Sequence, residues 1–180
     1  MRATRRELLL AAAGAPLALA AAPGALAKGP PQELSMAALT AALKLEQTAV
    51  VAYEAIANSS AIPAAAAAAL REFLDQDRQH AQQLAMALQG LGAKPPIPPR
   101  RADIPGLAAV RDERTAARFA IALELRTIAA YSTAVHQVGD SNVVRTIAGA
   151  MGTDGQQLVV LRQLIGAEPV PTAFETGSGR

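Results

Sequence analysis

Between Ala93 and Arg111 the chain carries Pro95, Pro96, Pro98, Pro99 and Pro105. Proline at that density lacks the amide hydrogens a helix needs, so this segment is expected to cross the molecule as an extended connection. On each side of it lie two stretches of helical periodicity. The first pair runs from about Ser35 to Ala57 and from Pro63 to Leu91, the second from about Asp112 to Val138 and from Asp140 or Ser141 to Ile165. Ser35, Asp112 and Asp140 or Ser141 are the expected N-caps, Pro63 a first-turn residue, and Gly92, Gly139 and Gly166 the expected closures. Only a few residues separate the members of each pair, so each pair must fold back as an antiparallel hairpin. The expected fold is all-α, a four-helix bundle of two hairpins joined by a long Pro-rich crossover. Composition agrees: 51% of residues are hydrophobic but only 3% are aromatic. Ala and Leu carry the apolar content, in place of the β-branched and aromatic residues that strands prefer.

Each helix carries a core stripe at spacings of three and four. The stripes read Leu39, Leu43, Glu46, Val50, Tyr53, Ala57; Leu70, Phe73, Asp77, His80, Leu84, Leu91; Ile121, Glu124, Ile128, Tyr131, Val135, Val138; and Val144, Ile147, Met151, Asp154, Leu158, Leu161, Ile165. All four are apolar except near the middle, where an acid interrupts them. Ionised carboxylates gathered in a dry space repel one another and lose hydration, at several kcal/mol per ion. Such a group must be protonated, paired with arginines or amides, or gathered around a cation. Carboxylates with an imidazole suit iron or manganese, and also zinc.

An internal repeat underlies the pattern. Leu45-Glu46 followed by Ala52-Tyr53 recurs as Leu123-Glu124 followed by Ala130-Tyr131. A Glu-to-Tyr spacing of seven puts both side chains on one helix face, two turns apart. The second helices of the pairs also correspond, in either of two registers. Matching Gln82-Gln83-Leu84 to Gln156-Gln157-Leu158 pairs His80 with Asp154. The other register, preferred because it stays close to the Glu–Tyr offset, pairs Asp77 with Asp154 and His80 with Gln157. Tyr53 and Tyr131 are expected as core aromatics whose hydroxyls find a carboxylate. His136 is expected at the surface, and so are Arg126, Arg145 and Arg162, one of which could turn inward on the acids if no metal is bound.

With these residues in place, the chain resembles exported bacterial ferritin-like proteins related to the desiccation-associated group. The resemblance covers residues 35–176 and rests on Glu46, Asp77-x-x-His80, Glu124, Asp154-x-x-Gln157 and the tail Pro169-Val170-Pro171-Thr172-Ala173-Phe174-Glu175. It implies a ferritin-like four-helix bundle and a metal site whose ligands would be Glu46, Asp77, His80, Glu124 and Asp154, with Gln157 at the position of a second histidine. It implies iron or manganese as the bound ion, with oxidation of the metal or consumption of peroxide as the associated activity. Two departures weaken one half of such a site. Asp77 and Asp154 are a methylene shorter than Glu, and Gln157 is a neutral amide that otherwise falls beside the stripe, at an edge. A mononuclear or lopsided dinuclear site follows. The alternative is a metal-free ferritin-like bundle serving as an envelope binding or stress-associated structural module.

The first 27 residues read as an export signal. Thr4-Arg5-Arg6-Glu7-Leu8-Leu9 fits the twin-arginine pattern, an Ala-rich stretch broken by Gly14 and Pro16 follows, and Ala25-Leu26-Ala27 offers a cleavage site before Lys28. The apolar run is shorter than the roughly 20 residues a membrane span needs, so cleavage is expected to leave no span, and a periplasmic or extracellular destination. The divisions are then 1–27 signal, 28–34 linker, 35–168 bundle and 169–180 tail. Arg2, Arg5 and Arg6 against Glu7 account for the whole net charge of +2, so the remainder is neutral and no nucleic-acid partner is expected. The absence of Cys excludes lipoprotein processing, thiolate metal sites and a cysteine nucleophile. A metal ion is the expected partner, and homo-oligomerisation stays open.

Overall fold

A computed structural model describes residues 30–177; the expected signal at 1–27 lies outside them. Four helices form the body: α1 (Gln32–Ala57), α2 (Ala64–Gly90), α3 (Glu113–Gln137) and α4 (Ser141–Leu164). There is no strand among the described residues, and no helix there is long and apolar enough to cross a membrane. α1 packs on α2, α3 on α4 and α1 on α3, whereas α2 and α4 meet more loosely. The all-α two-hairpin architecture is the expected one.

The helix ends follow local chemistry, with three corrections. Asp112 caps α3 in a capping box with Thr115, and Asp140 caps α4 by accepting from the amides of Asn142 and Val143. Gly92 and Gly166 take φ of 78° and 70° just past α2 and α4, the left-handed turn that glycine adopts without a Cβ clash. Ser35, however, is not an N-cap. α1 begins three residues earlier, behind Pro31, and Ser35 is buried with its Oγ donating to Gln137 O at 2.6 Å. Gly139 is not the closing residue of α3 either, because that helix passes directly into extended backbone at Val138. The crossover is extended only as far as Arg100. Beyond it are two 3-10 turns, Arg101–Asp103 and Leu107–Ala109, joined through Gly106 at φ 82°. Ile104 and Leu107 are thereby buried in the core.

Ser35 ties the start of α1 to the end of α3. Ser35→Ala should lower unfolding stability by about 1 kcal/mol, the worth of one buried hydrogen bond, as read by urea denaturation.

The core is divided. One apolar cluster holds Tyr53, Ile56, Leu70, Phe73, Leu74, Leu123 and Leu161, with Ile104 and Leu107 of the crossover. A second holds Leu39, Leu43, Leu84, Leu88, Tyr131 and Ile147. Between them, on each helix in turn, sit the acids. Val50, Ile121, Val135, Val144, Met151, Ile165 and Leu91 of the expected stripes are only half-buried. Alanines close the core instead: Ala42, Ala52, Ala120 and Ala134 have no exposure at all. Small residues let helix backbones approach closely, so the tightest positions fall beside the stripe of large side chains.

Candidate metal centre

The middle of the bundle is a polar layer enclosed by leucines and tyrosines. α1 contributes Glu46, α2 Asp77, α3 Glu124 and α4 Asp154, and none is more than 2% exposed. Gln157 is equally buried, at 2%, which corrects its expected place at an edge: one turn beyond Asp154, it faces inward with it. His80 stands at the margin, its side chain 14% exposed. All six candidate residues therefore reach one layer. Thr127, one turn beyond Glu124, is also buried there and bonds back to Leu123 O at 3.1 Å.

The tyrosines act across the α1/α3 seam. Tyr53 Oη donates to Glu124 Oε1, and Tyr131 Oη donates to Glu46 Oε1. Each tyrosine thus serves the glutamate of the other helix, which is what a spacing of seven on two antiparallel helices produces. Burial, then the charges of the neighbouring acids, raises both phenols well above their ordinary value, so they remain protonated donors.

The same exchange relates α2 and α4. His80 Nδ1 lies 3.5 Å from Asp154 Oδ1, and Gln157 Nε2 donates to Asp77 Oδ1 at 3.1 Å. Asp77 corresponds to Asp154 and His80 to Gln157, in the register preferred from the repeat. His80 Nδ1 is also 3.4 Å from Glu46 Oε1 and 4.0 Å from Asp77 Oδ1. Glu46, Asp77 and His80 can each bring a ligand atom within 4.8 Å of the other two.

The electrostatics are those of crowded carboxylates. Burial, then the Glu46 charge, pushes Asp77 up to about 7 against the opposing pull of Gln157 and His80. Burial, then Glu124, Glu46 and Asp77, pushes Asp154 up to about 11. Glu124 is raised by burial and by the Asp77 charge, although the Tyr53 hydroxyl pulls the other way. For His80, burial works against the cation but Glu46 and Asp77 outweigh it, so its value is raised. Among the described residues no arginine or lysine pairs with these acids. Arg162 turns to Glu175 in the tail, at 2.7 Å; Arg126, Arg145 and His136 are exposed.

Hydrogen bonding in the layer is incomplete. Among the described residues, the buried side-chain atoms without a hydrogen-bond partner are Gln47 Oε1 and five in this layer: Asp77 Oδ2, His80 Nδ1, both oxygens of Asp154, and Gln157 Oε1. Unpaired buried polar atoms are rare and costly, and here they converge on one place. Three carboxylate oxygens, one amide oxygen and an imidazole nitrogen, which offers a lone pair in its neutral form, suit a divalent first-row metal. Beside them, where α2 and α4 part, a cleft of about 290 Å³ is bordered by Gln79, His80, Gln83, Tyr131, Thr146 and Ile147. It brings solvent to His80.

Comparison with known proteins bears on the fold. No curated protein matches the chain. Among solved structures, a conserved hypothetical protein, Rv2844 from Mycobacterium tuberculosis, superposes with a TM-score of 0.68 at 22% identity, over 79% of this chain and 97% of that one. Identity at that level speaks for the shared fold alone. The family model for the ferritin-like domain matches residues 35–167, α1 to the end of α4. The chain belongs to the ferritin-like domain family.

Proposed function

We propose that this is an exported ferritin-like protein that binds iron or manganese in its polar layer, with Glu46, Asp77 and His80 as the central ligands and Glu124 and Asp154 beside them. The observation that carries the reading is the gathering of Glu46 Oε1, the unpartnered Asp154 Oδ1 and the Asp77 carboxylate, whose Oδ2 has no partner, within 3.4–4.0 Å of the unpartnered Nδ1 of His80. A cation there would satisfy these atoms together and relieve the repulsion that raises the acids. Such an ion would supply one-electron chemistry toward oxygen or peroxide. The chain's own contributions are separate from that step. The carboxylates balance the charge, Tyr131 and Tyr53 orient Glu46 and Glu124, and the two apolar clusters exclude water above and below. The cleft leaves His80 as the point of entry.

Export is supported by the twin-arginine pattern at Thr4–Leu9 and the Ala25-Leu26-Ala27 site. That route carries proteins already folded, which suits loading of a metal before export. N-terminal sequencing of protein recovered from the envelope or medium should begin at Lys28.

One observation favours a metal-free structural module as the second reading. The Tyr53, Tyr131 and Gln157 side chains already donate to Glu124, Glu46 and Asp77, so protonated acids could form a self-sufficient network. Elemental analysis decides between them, on protein purified without a His tag or chelator. The expected result is near-stoichiometric iron or manganese, lost in His80→Ala. Metal well below stoichiometry, and unchanged after incubation with ferrous or manganous salt, would leave the metal-free module.

A further inference from the structure

The two halves of the polar layer are related by the repeat but are not equivalent. His80 directs a ring nitrogen at Asp154, and the corresponding residue, Gln157, directs an amide nitrogen at Asp77. The imidazole nitrogen offers a lone pair in its neutral form; the amide nitrogen offers only hydrogens. Gln157 is also held in that orientation. Its Nε2 donates both to Asp77 Oδ1 and to Gln76 Oε1, each at 3.1 Å. Turning the amide over would set its oxygen against two acceptors. Its Oε1 is left buried without a partner, a penalty the protein accepts to keep the nitrogen on Asp77.

Resting on the metal reading above, we propose that the Gln157 amide occupies the second cation position of the layer, so that the site takes one ion per chain. Asp77 is divided by this arrangement. Its Oδ1, 4.0 Å from His80 Nδ1, is engaged by Gln157, whereas its Oδ2 has no partner and is left to contribute to an ion held with Glu46 and His80. Gln157 is in this sense a positioning residue: it fixes the Asp77 carboxylate and stands in for a positive charge in the half that lacks a histidine. On this account the opposite half keeps Glu124 bound to Tyr53 and takes no metal of its own.

The test is stoichiometry, read without any turnover. Purified chain is titrated with Mn²⁺ and free ion is counted by electron paramagnetic resonance, for the wild type, Gln157→His and Gln157→Glu. Each variant replaces the amide donor with a ligand. Circular dichroism melts establish which variants fold, and either one suffices. The expected result is one ion per chain in the wild type, rising to two in a folded variant. Two ions in the wild type, or only one in every variant that folds, would overturn the role of Gln157 and leave the metal reading standing. No ion in the wild type would remove the metal reading and this inference with it.

Discussion

Freed of metal, the protein should lose stability steadily as the pH is raised from about 5 to about 8. Asp77 and Asp154 sit at about 7 and about 11 in the folded chain, against 3.8 for an ordinary aspartate. Between the ordinary value and the raised one, the folded protein retains a proton that the unfolded chain has released. Stability from such a group is complete below the unfolded value and is lost as the pH rises through the folded one, at about 1.4 kcal/mol per pH unit per proton. Asp77 contributes to the slope up to about 7, and Asp154 throughout. His80, also raised, adds in the same direction above its ordinary range. Urea unfolding in a chelator should therefore show a fall of roughly 5 kcal/mol from about pH 5 to about pH 7. Asp154→Asn keeps the size and removes the charge. It should flatten the slope by about one proton and exceed the wild type by roughly 2–4 kcal/mol near pH 7.5. Saturating metal should oppose the trend, because binding requires deprotonated ligands and so strengthens as the pH rises. An unchanged slope in Asp154→Asn would show that this carboxylate does not hold a proton in the native layer.

How much of the layer is legible in the sequence depends on which physical effect decides each position. The four acids stand out because their burial contradicts everything else on their stripes, and helical spacing alone predicted that they would meet. The Glu–Tyr spacing of seven led to tyrosine hydroxyls on carboxylates, though only the antiparallel pairing of α1 and α3 reveals that each tyrosine serves the opposite helix. Gln157 was harder to place. It is one turn from Asp154, close enough to the stripe to be buried, yet its orientation is set by Gln76 and Asp77 on another helix, which no local pattern encodes. Ser35 misled because serine is so often a helix cap; here a distant carbonyl, Gln137 O, competes for its hydroxyl. Ile104 and Leu107 were hidden by prolines that announce a loop and say nothing of which of its side chains dip into the core.

Replacing the two central glutamates should move stability and metal affinity in opposite directions. Glu46 and Glu124 each accept a tyrosine hydroxyl, and a glutamine carbonyl at either position can still accept it. What glutamine removes is charge. Glu46 raises Asp77, and Glu124 and Glu46 both raise Asp154. In the metal-free protein, Glu46→Gln or Glu124→Gln should therefore leave stability near pH 7.5 unchanged or raise it by about 1–3 kcal/mol. Mn²⁺ affinity should fall in both, but not equally. Glu46 groups with Asp77 and His80, so its loss should weaken binding by more than the roughly 10–100-fold typical of removing a residue that only supports a ligand. Glu124, held by Tyr53 on the far side, should cost about tenfold. Chemical denaturation with chelator and titration calorimetry with Mn²⁺ measure the two quantities on the same preparations. A layer that binds no metal would show the same response in stability, because the repulsion is removed either way, and would have no affinity to lose. Gain in one quantity with loss in the other is the mark of a site whose repulsion is tolerated because a cation relieves it.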